Sequence, residues 1–113
     1  EGAAMVVIDS LNGYSYAMPE ERYLSVHLHE LTSYLSQKSV TTLLVMSREK
    51  NEEVSHPPPF EVSYIADTVL QLKYRTQRNV FQKTINVLKR RGGKHDFRER
   101  ELLISESGIT LGE

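Results

Sequence analysis

Apolar positions follow two different rhythms along this chain, and the change from one to the other organises the sequence. Ala4-Met5-Val6-Val7-Ile8 is apolar at consecutive positions and closes on Asp9-Ser10. A strand apolar on both faces has to be covered on both, which predicts a central strand of a parallel sheet. Asn12-Gly13 predicts a turn, and Pro19-Glu20-Glu21 a helix start with Pro in the first turn and acids favouring the dipole. Leu24, Leu28, Leu31 and Leu35 follow at spacings of four, three and four, one apolar stripe along that helix. Val40 to Met46 (VTTLLVM) is a second apolar, β-branched run. Together these segments predict a β-α-β unit with parallel strands and a right-handed crossover.

From Ser47 to Pro59 the pattern dissolves into charged residues and the run Pro57-Pro58-Pro59, which predicts a mobile loop. Beyond it the rhythm becomes antiparallel. Thr68 to Tyr74 and Val80 to Leu88 read as a hairpin around the polar turn Thr76-Gln77-Arg78-Asn79. Phe97 to Ile104 and Ile109 to Leu111 read as a second hairpin around Glu106-Ser107-Gly108. The expected fold class is α/β, a β-α-β unit followed by antiparallel hairpins, with residues 1–113 forming one domain.

Composition narrows the chemistry more than it names a function. The chain has 113 residues and a formal net charge of -1, so no overall field draws it to nucleic acid or to an anionic membrane. Any anion site has to be local. With no cysteine there is no disulfide framework, no thiol nucleophile and no Cys-ligated metal, which fits a reducing cytosol. No apolar run approaches the roughly 20 residues that span a bilayer, and no signal segment opens the chain, so a cytoplasmic protein is expected. Glu1-Gly2-Ala3-Ala4 runs at once into an apolar strand without an initiator Met, the pattern of an internal segment.

Two places carry candidate chemistry. Asp9 closes the first apolar strand, and ligands in open α/β sheets bind at the carboxyl ends of strands, where a carboxylate holds Mg²⁺ or its waters beside a triphosphate. This is the Walker B arrangement; the plainer reading is a strand-end or capping Asp. The second place is Lys89-Arg90-Arg91-Gly92-Gly93-Lys94-His95, which gathers cationic side chains at a strand end. Lys89 and Arg91 project to one face if the strand continues through them. Arg grips phosphate oxygens in a bidentate way, Lys adds a point charge, and Gly92-Gly93 lets the backbone turn under an anion. The plainer reading here is a solvated basic turn.

Other chemistries find no footing. His27 and His29 lie roughly 200° apart on a helix and cannot share one ion, and His56 stands alone before prolines. No glycine pair supplies the P-loop spacing G-x-x-x-x-G-K-S/T, and there is no G-x-S-x-G elbow. The tyrosines Tyr14, Tyr16, Tyr23, Tyr34, Tyr64 and Tyr74 are spread over helix, loop and strand, the distribution of packing aromatics and not of a base-stacking platform.

Several segments together resemble the KaiC-like branch of the RecA-superfamily ATPases. VVIDSLNGY (Val6 to Tyr14) resembles its Walker B strand, and Met18 to Ser47 the helix and strand that follow. YIADTVLQLKY (Tyr64 to Tyr74) is similar to its "ADT" strand, and Ile85 to Ser105 to its lysine-x-arginine-glycine-x-x-histidine segment and final strand. The resemblance implies part of a RecA-like P-loop NTPase core from the Walker B strand onward, in a ring-forming, hexameric ATPase with nucleotide between neighbouring subunits. It implies ATP and Mg as ligands, Asp9 as the catalytic and metal-binding acid, and Lys89, Arg91, Gly92 and His95 as contacts to the nucleotide of the next subunit. The P-loop and catalytic glutamates of the family lie upstream of this strand, so the segment is expected to be inactive alone. The family's clock members carry an adjacent Ser-Thr pair just before the "ADT"-like strand; this chain has Ser63-Tyr64 there, which argues against the same phosphorylation cycle. The alternatives are a protein-interaction module of the same fold and, less favoured by the charge, nucleic-acid binding through Lys83, Lys89, Arg90, Arg91 and Lys94.

Overall fold

The β-branched run that opens the chain forms strand β1, Met5–Asp9, in the computed structural model, which describes residues 2–17, 21–47 and 64–113. The described residues gather into two compact units, Glu1–Ile65 and Ala66–Glu113.

In the first unit β1 pairs in parallel with β2, Thr41–Val45, in a register running from Met5 opposite Thr41 to Asp9 opposite Val45. Between them lie helices α1, Leu11–Ala17, and α2, Glu21–Gln37. Side chains alternate across a pleated strand, so Ile8 and Leu44 turn to the core while Met5, Val7 and Leu43 stand exposed on the other side; the expected central strand, covered on both faces, is among the described residues one of a two-stranded pair covered on one face. The core is built by Leu11, Leu24 and Leu28, with Met46 and Ile65 packed against it. The Leu stripe of α2 is therefore real, fully buried at Leu24 and Leu28 and half-buried at Leu31 and Leu35.

A Schellman motif ends α2. The amide of Ser39 donates to the Ser36 carbonyl and that of Val40 to the Leu35 carbonyl, with Ser39 in the left-handed region at φ 56°. This turn sends the chain straight into β2, where the Thr41 amide meets the Ala4 carbonyl.

The turn expected at Asn12-Gly13 is the first part of α1. Leu11 is completely buried and fixes the start of that helix against α2, so tertiary burial overrides the local turn preference of Asn-Gly. The helix start at Pro19, the loop over 48–59, His56 and Ser63 lie outside the described residues.

The second unit is a four-stranded antiparallel sheet in chain order: β3, Thr68–Gln77; β4, Val80–Arg90; β5, Arg100–Ser105; β6, Gly108–Leu111. The first hairpin turns on two residues, since Thr76 and Gln77 still belong to β3. Arg78 and Asn79 both take positive φ, 50° and 62°, as the primed hairpin turns that match strand twist require. The β3–β4 ladder carries one irregularity, with Leu70 opposite Val87 but Val69 opposite Lys89, so Leu88 is an extra, bulged residue. The β5 strand begins at Arg100 and not at Phe97, leaving 91–99 as a connecting loop.

Candidate functional site

Two places gather the residues singled out above, one in each unit. In the first, Asp9 is the last residue of β1 and is exposed. Because β1 and β2 run parallel, their carboxyl ends coincide, and Asp9 and Val45 end the ladder together. Just beyond, Asn12 of α1 reaches across to the residue after Met46. Its Nδ2 donates to the Ser47 carbonyl at 2.7 Å, and the Ser47 amide donates to its Oδ1 at 2.8 Å. This reciprocal amide clamp ties the end of β2 to the helix that follows β1. It fixes the rim on which Asp9 sits. Sequence reasoning missed Asn12 because its partner is a backbone group 35 positions away.

A carboxylate at such a rim is a hard oxygen donor of the kind Mg²⁺ accepts. Among the described residues no group of three His, Cys, Asp or Glu side chains converges on a metal position.

In the second unit the loop between β4 and β5 is fastened at three points. At its start the Arg91 amide donates to the Asp67 carbonyl at 2.7 Å, and Arg91 Nη1 donates to Asp67 Oδ1 at 3.1 Å. In the middle Asp96 receives both Arg98, through Nε and Nη2, and Arg100, through Nη2 at 3.2 Å. The Arg98 side-chain bonds are the main reason the Asp96 carboxyl ionises well below the ordinary range, with the Arg98 backbone amide, its charge and Arg100 adding to them. At the end Glu99 accepts from the buried Thr84 hydroxyl and from Arg75 Nη2. The Thr84 bond leads in lowering the Glu99 pKa; burial opposes it, while Arg75 and Lys73 assist.

Between the first two fastenings run Gly92, Gly93, Lys94 and His95. Gly92 has φ +78°, a conformation that favours glycine. A side chain at Gly93 would meet Arg90 Nε at 3.4 Å, so the Arg90 guanidinium lies across the turn. His95 stacks at a tilt on Phe97, ring centres 4.2 Å apart, and its Nε2 is shut off from solvent without a hydrogen-bond partner among the described residues.

The condition for Lys89 and Arg91 to share a face is not met. β4 stops at Arg90, and the bulge at Leu88 breaks the alternation just before it. Lys89 is half-buried in the ladder opposite Val69, whereas Arg91 lies past the strand end with 59% of its side chain exposed.

A family model described as "ATPase: KaiC" matches residues 1–113. The chain belongs to the KaiC ATPase family. The similar KaiC-family proteins include "Circadian clock protein KaiC2" of Synechocystis sp., 29% identical over 110 residues, covering 97% of this chain and 19% of the relative. "Circadian clock oscillator protein KaiC" of Synechococcus elongatus is 29% identical over 108 residues, covering 96% of this chain and 21% of the relative. The protein of that name from Prochlorococcus marinus (strain MIT 9313) is 31% identical over 81 residues, 72% of this chain and 16% of the relative. The chain thus spans about a fifth of the length of the first two KaiC relatives. The mixed α/β architecture, a parallel pair plus an antiparallel sheet, agrees with part of a RecA-like KaiC ATPase domain. No helix among the described residues is long and apolar enough to cross a membrane.

Proposed function

We propose that this chain contributes one wall to each of two successive nucleotide sites in a self-associating, cytoplasmic KaiC-type ATPase. Asp9 acts on the nucleotide bound by its own subunit, and Lys89, Arg91, Gly92 and His95 act on the nucleotide of the neighbour. The observation that carries the reading is an exposed carboxylate at the shared carboxyl end of a parallel strand pair, within a KaiC match over the whole chain.

In this mechanism Asp9 would hold Mg²⁺ or its waters beside the triphosphate, where the ion would supply charge neutralisation. Arg91, exposed at the strand end, presents a planar fork of donors to the phosphoryl group of the adjoining subunit. Cationic donors aimed where charge develops in transfer lower the barrier. Gly92 keeps the backbone without a Cβ beside that anion. Lys89 adds a point charge from a half-buried stem. His95 brings its Nε2 to the contact only by turning its ring, because that atom is covered.

The test is Asp9→Asn in the full-length protein. Asn keeps the shape and removes the charge, so ATP hydrolysis falls by about 10²-fold or more while the melting temperature holds. Wild-type hydrolysis by Asp9→Asn contradicts the assignment.

A further inference from the structure

The ion pair that fastens the start of the β4–β5 loop has a partner that the motif did not single out. In the unbroken register of the hairpin, Asp67 would stand opposite Arg90. The extra residue Leu88 advances β4 by one, so that Thr68 faces Arg90 and Asp67 comes to face Arg91. The bulge thus selects which of the two adjacent arginines meets Asp67 and leaves the Arg90 side chain to cover Gly93 and to reach the Lys94 carbonyl.

We propose that Asp67 is a positioning residue for Arg91, setting the direction in which its guanidinium meets a phosphate. The proposal rests on the reading of Arg91 as a phosphate contact. Two ties act together, amide to carbonyl at 2.7 Å and guanidinium to carboxylate at 3.1 Å, so both the backbone and the head group of Arg91 are referred to one residue. Orientation needs such a reference here, because Arg91 is beyond the strand end and is followed by Gly92 at φ +78° and then Gly93, which restrain it little.

Stability is not what the pair supplies. Side-chain exposures of 59% for Arg91 and 80% for Asp67 put it in solvent, where such pairs contribute little to folding. An exposed pair is instead suited to being shared. Asp67 Oδ1 meets Nη1 from one side, and a phosphoryl group carries more charge than one carboxylate and takes guanidinium donors in a planar fork. The carboxylate thus holds the side chain ready, which lowers the ordering cost when the anion arrives.

The test uses the full-length protein and its Asp67→Ala, Asp67→Asn, Arg91→Ala and doubly substituted forms. Binding of a non-hydrolysable ATP analogue, ATP hydrolysis and melting temperature are measured for each. Arg91→Ala is expected to lower kcat by about 10²-fold. Asp67→Ala weakens analogue binding about three- to fivefold with an unchanged melting temperature. Asp67→Asn, which keeps an acceptor oxygen, recovers part of that loss, and the double variant is no worse than Arg91→Ala alone. A full effect of Arg91→Ala beside unchanged or tighter binding by Asp67→Ala overturns the positioning role and leaves the phosphate contact standing. Wild-type behaviour of Arg91→Ala overturns the phosphate contact itself and the proposal with it. A fall in melting temperature that tracks the loss in Asp67→Ala assigns the pair to stability and overturns the proposal as well.

Discussion

The two units of this chain are held by different physics. In the first, the fully buried side chains are Leu11, Leu24 and Leu28, and cohesion comes from apolar side chains that α1, α2 and one face of the parallel pair remove from water. In the second, the buried polar residue is Thr84, and all four ion pairs of the described residues are found there. Much of its apolar surface stays exposed, including Leu72, Tyr74 and Phe81. Its order comes from backbone ladders and from charge-assisted bonds that fasten one loop. A unit built by burial offers a rigid rim for a single carboxylate. A unit built by ladders and ion pairs offers side chains whose partners can be exchanged, which is what a contact to an incoming anion requires.

The comparison breaks most sharply at Leu28. Leu28→Ala opens a cavity in the three-leucine core and is expected to cost about 2–5 kcal/mol. Hydrogen exchange of the full-length protein should show lost protection over 24–45 and retained protection over 68–90. Equal losses in both segments would mean that the units do not differ in the way described.

A smaller effect is expected on the other side of the comparison, at Glu99. Glu99→Gln leaves the Thr84 hydroxyl and Arg75 facing a neutral group, and the cost is about 1–3 kcal/mol, the penalty for a disturbed buried polar bond. Its pH dependence has a definite sign. The Glu99 and Asp96 carboxyls both ionise below their ordinary ranges in the folded chain, so their contribution is full above the unfolded pKa values and declines as pH falls through the folded ones. The wild-type second unit should lose protection on acidification below about pH 4, the region of unperturbed carboxylates, and Glu99→Gln should flatten that loss.

What the sequence disclosed follows the same division. Periodicity located the Leu stripe of α2, the two apolar strands and their parallel pairing, but consecutive apolar residues implied cover on both faces, and Met5, Val7 and Leu43 leave one face exposed. Sequence spacing also located both hairpins. It missed α1, because Asn12-Gly13 carries a turn signal that the burial of Leu11 overrides. It shortened β3, because Thr76 and Gln77 look like turn residues although the primed turn needs only Arg78 and Asn79. It began β5 too early, because Phe97 reads as strand while Asp96 holds the guanidinium groups of Arg98 and Arg100 in the loop that precedes it. For the candidate sites, the residue types and the strand-end positions of Asp9 and Arg91 were visible in the motifs. Their partners were not. The link from Asn12 to Ser47 crosses 35 residues, and the one from Arg91 to Asp67 depends on a single bulged residue.

The central claim is that Asp9 and Arg91 serve successive sites, one in cis and the other in trans. Mixing full-length Asp9→Asn and Arg91→Ala proteins tests it most directly. In a random equal mixture about a quarter of the subunit junctions carry both wild-type walls. ATP hydrolysis that is strongly reduced in either variant alone should therefore rise on mixing and co-assembly. Co-assembly without any recovered hydrolysis would contradict the account.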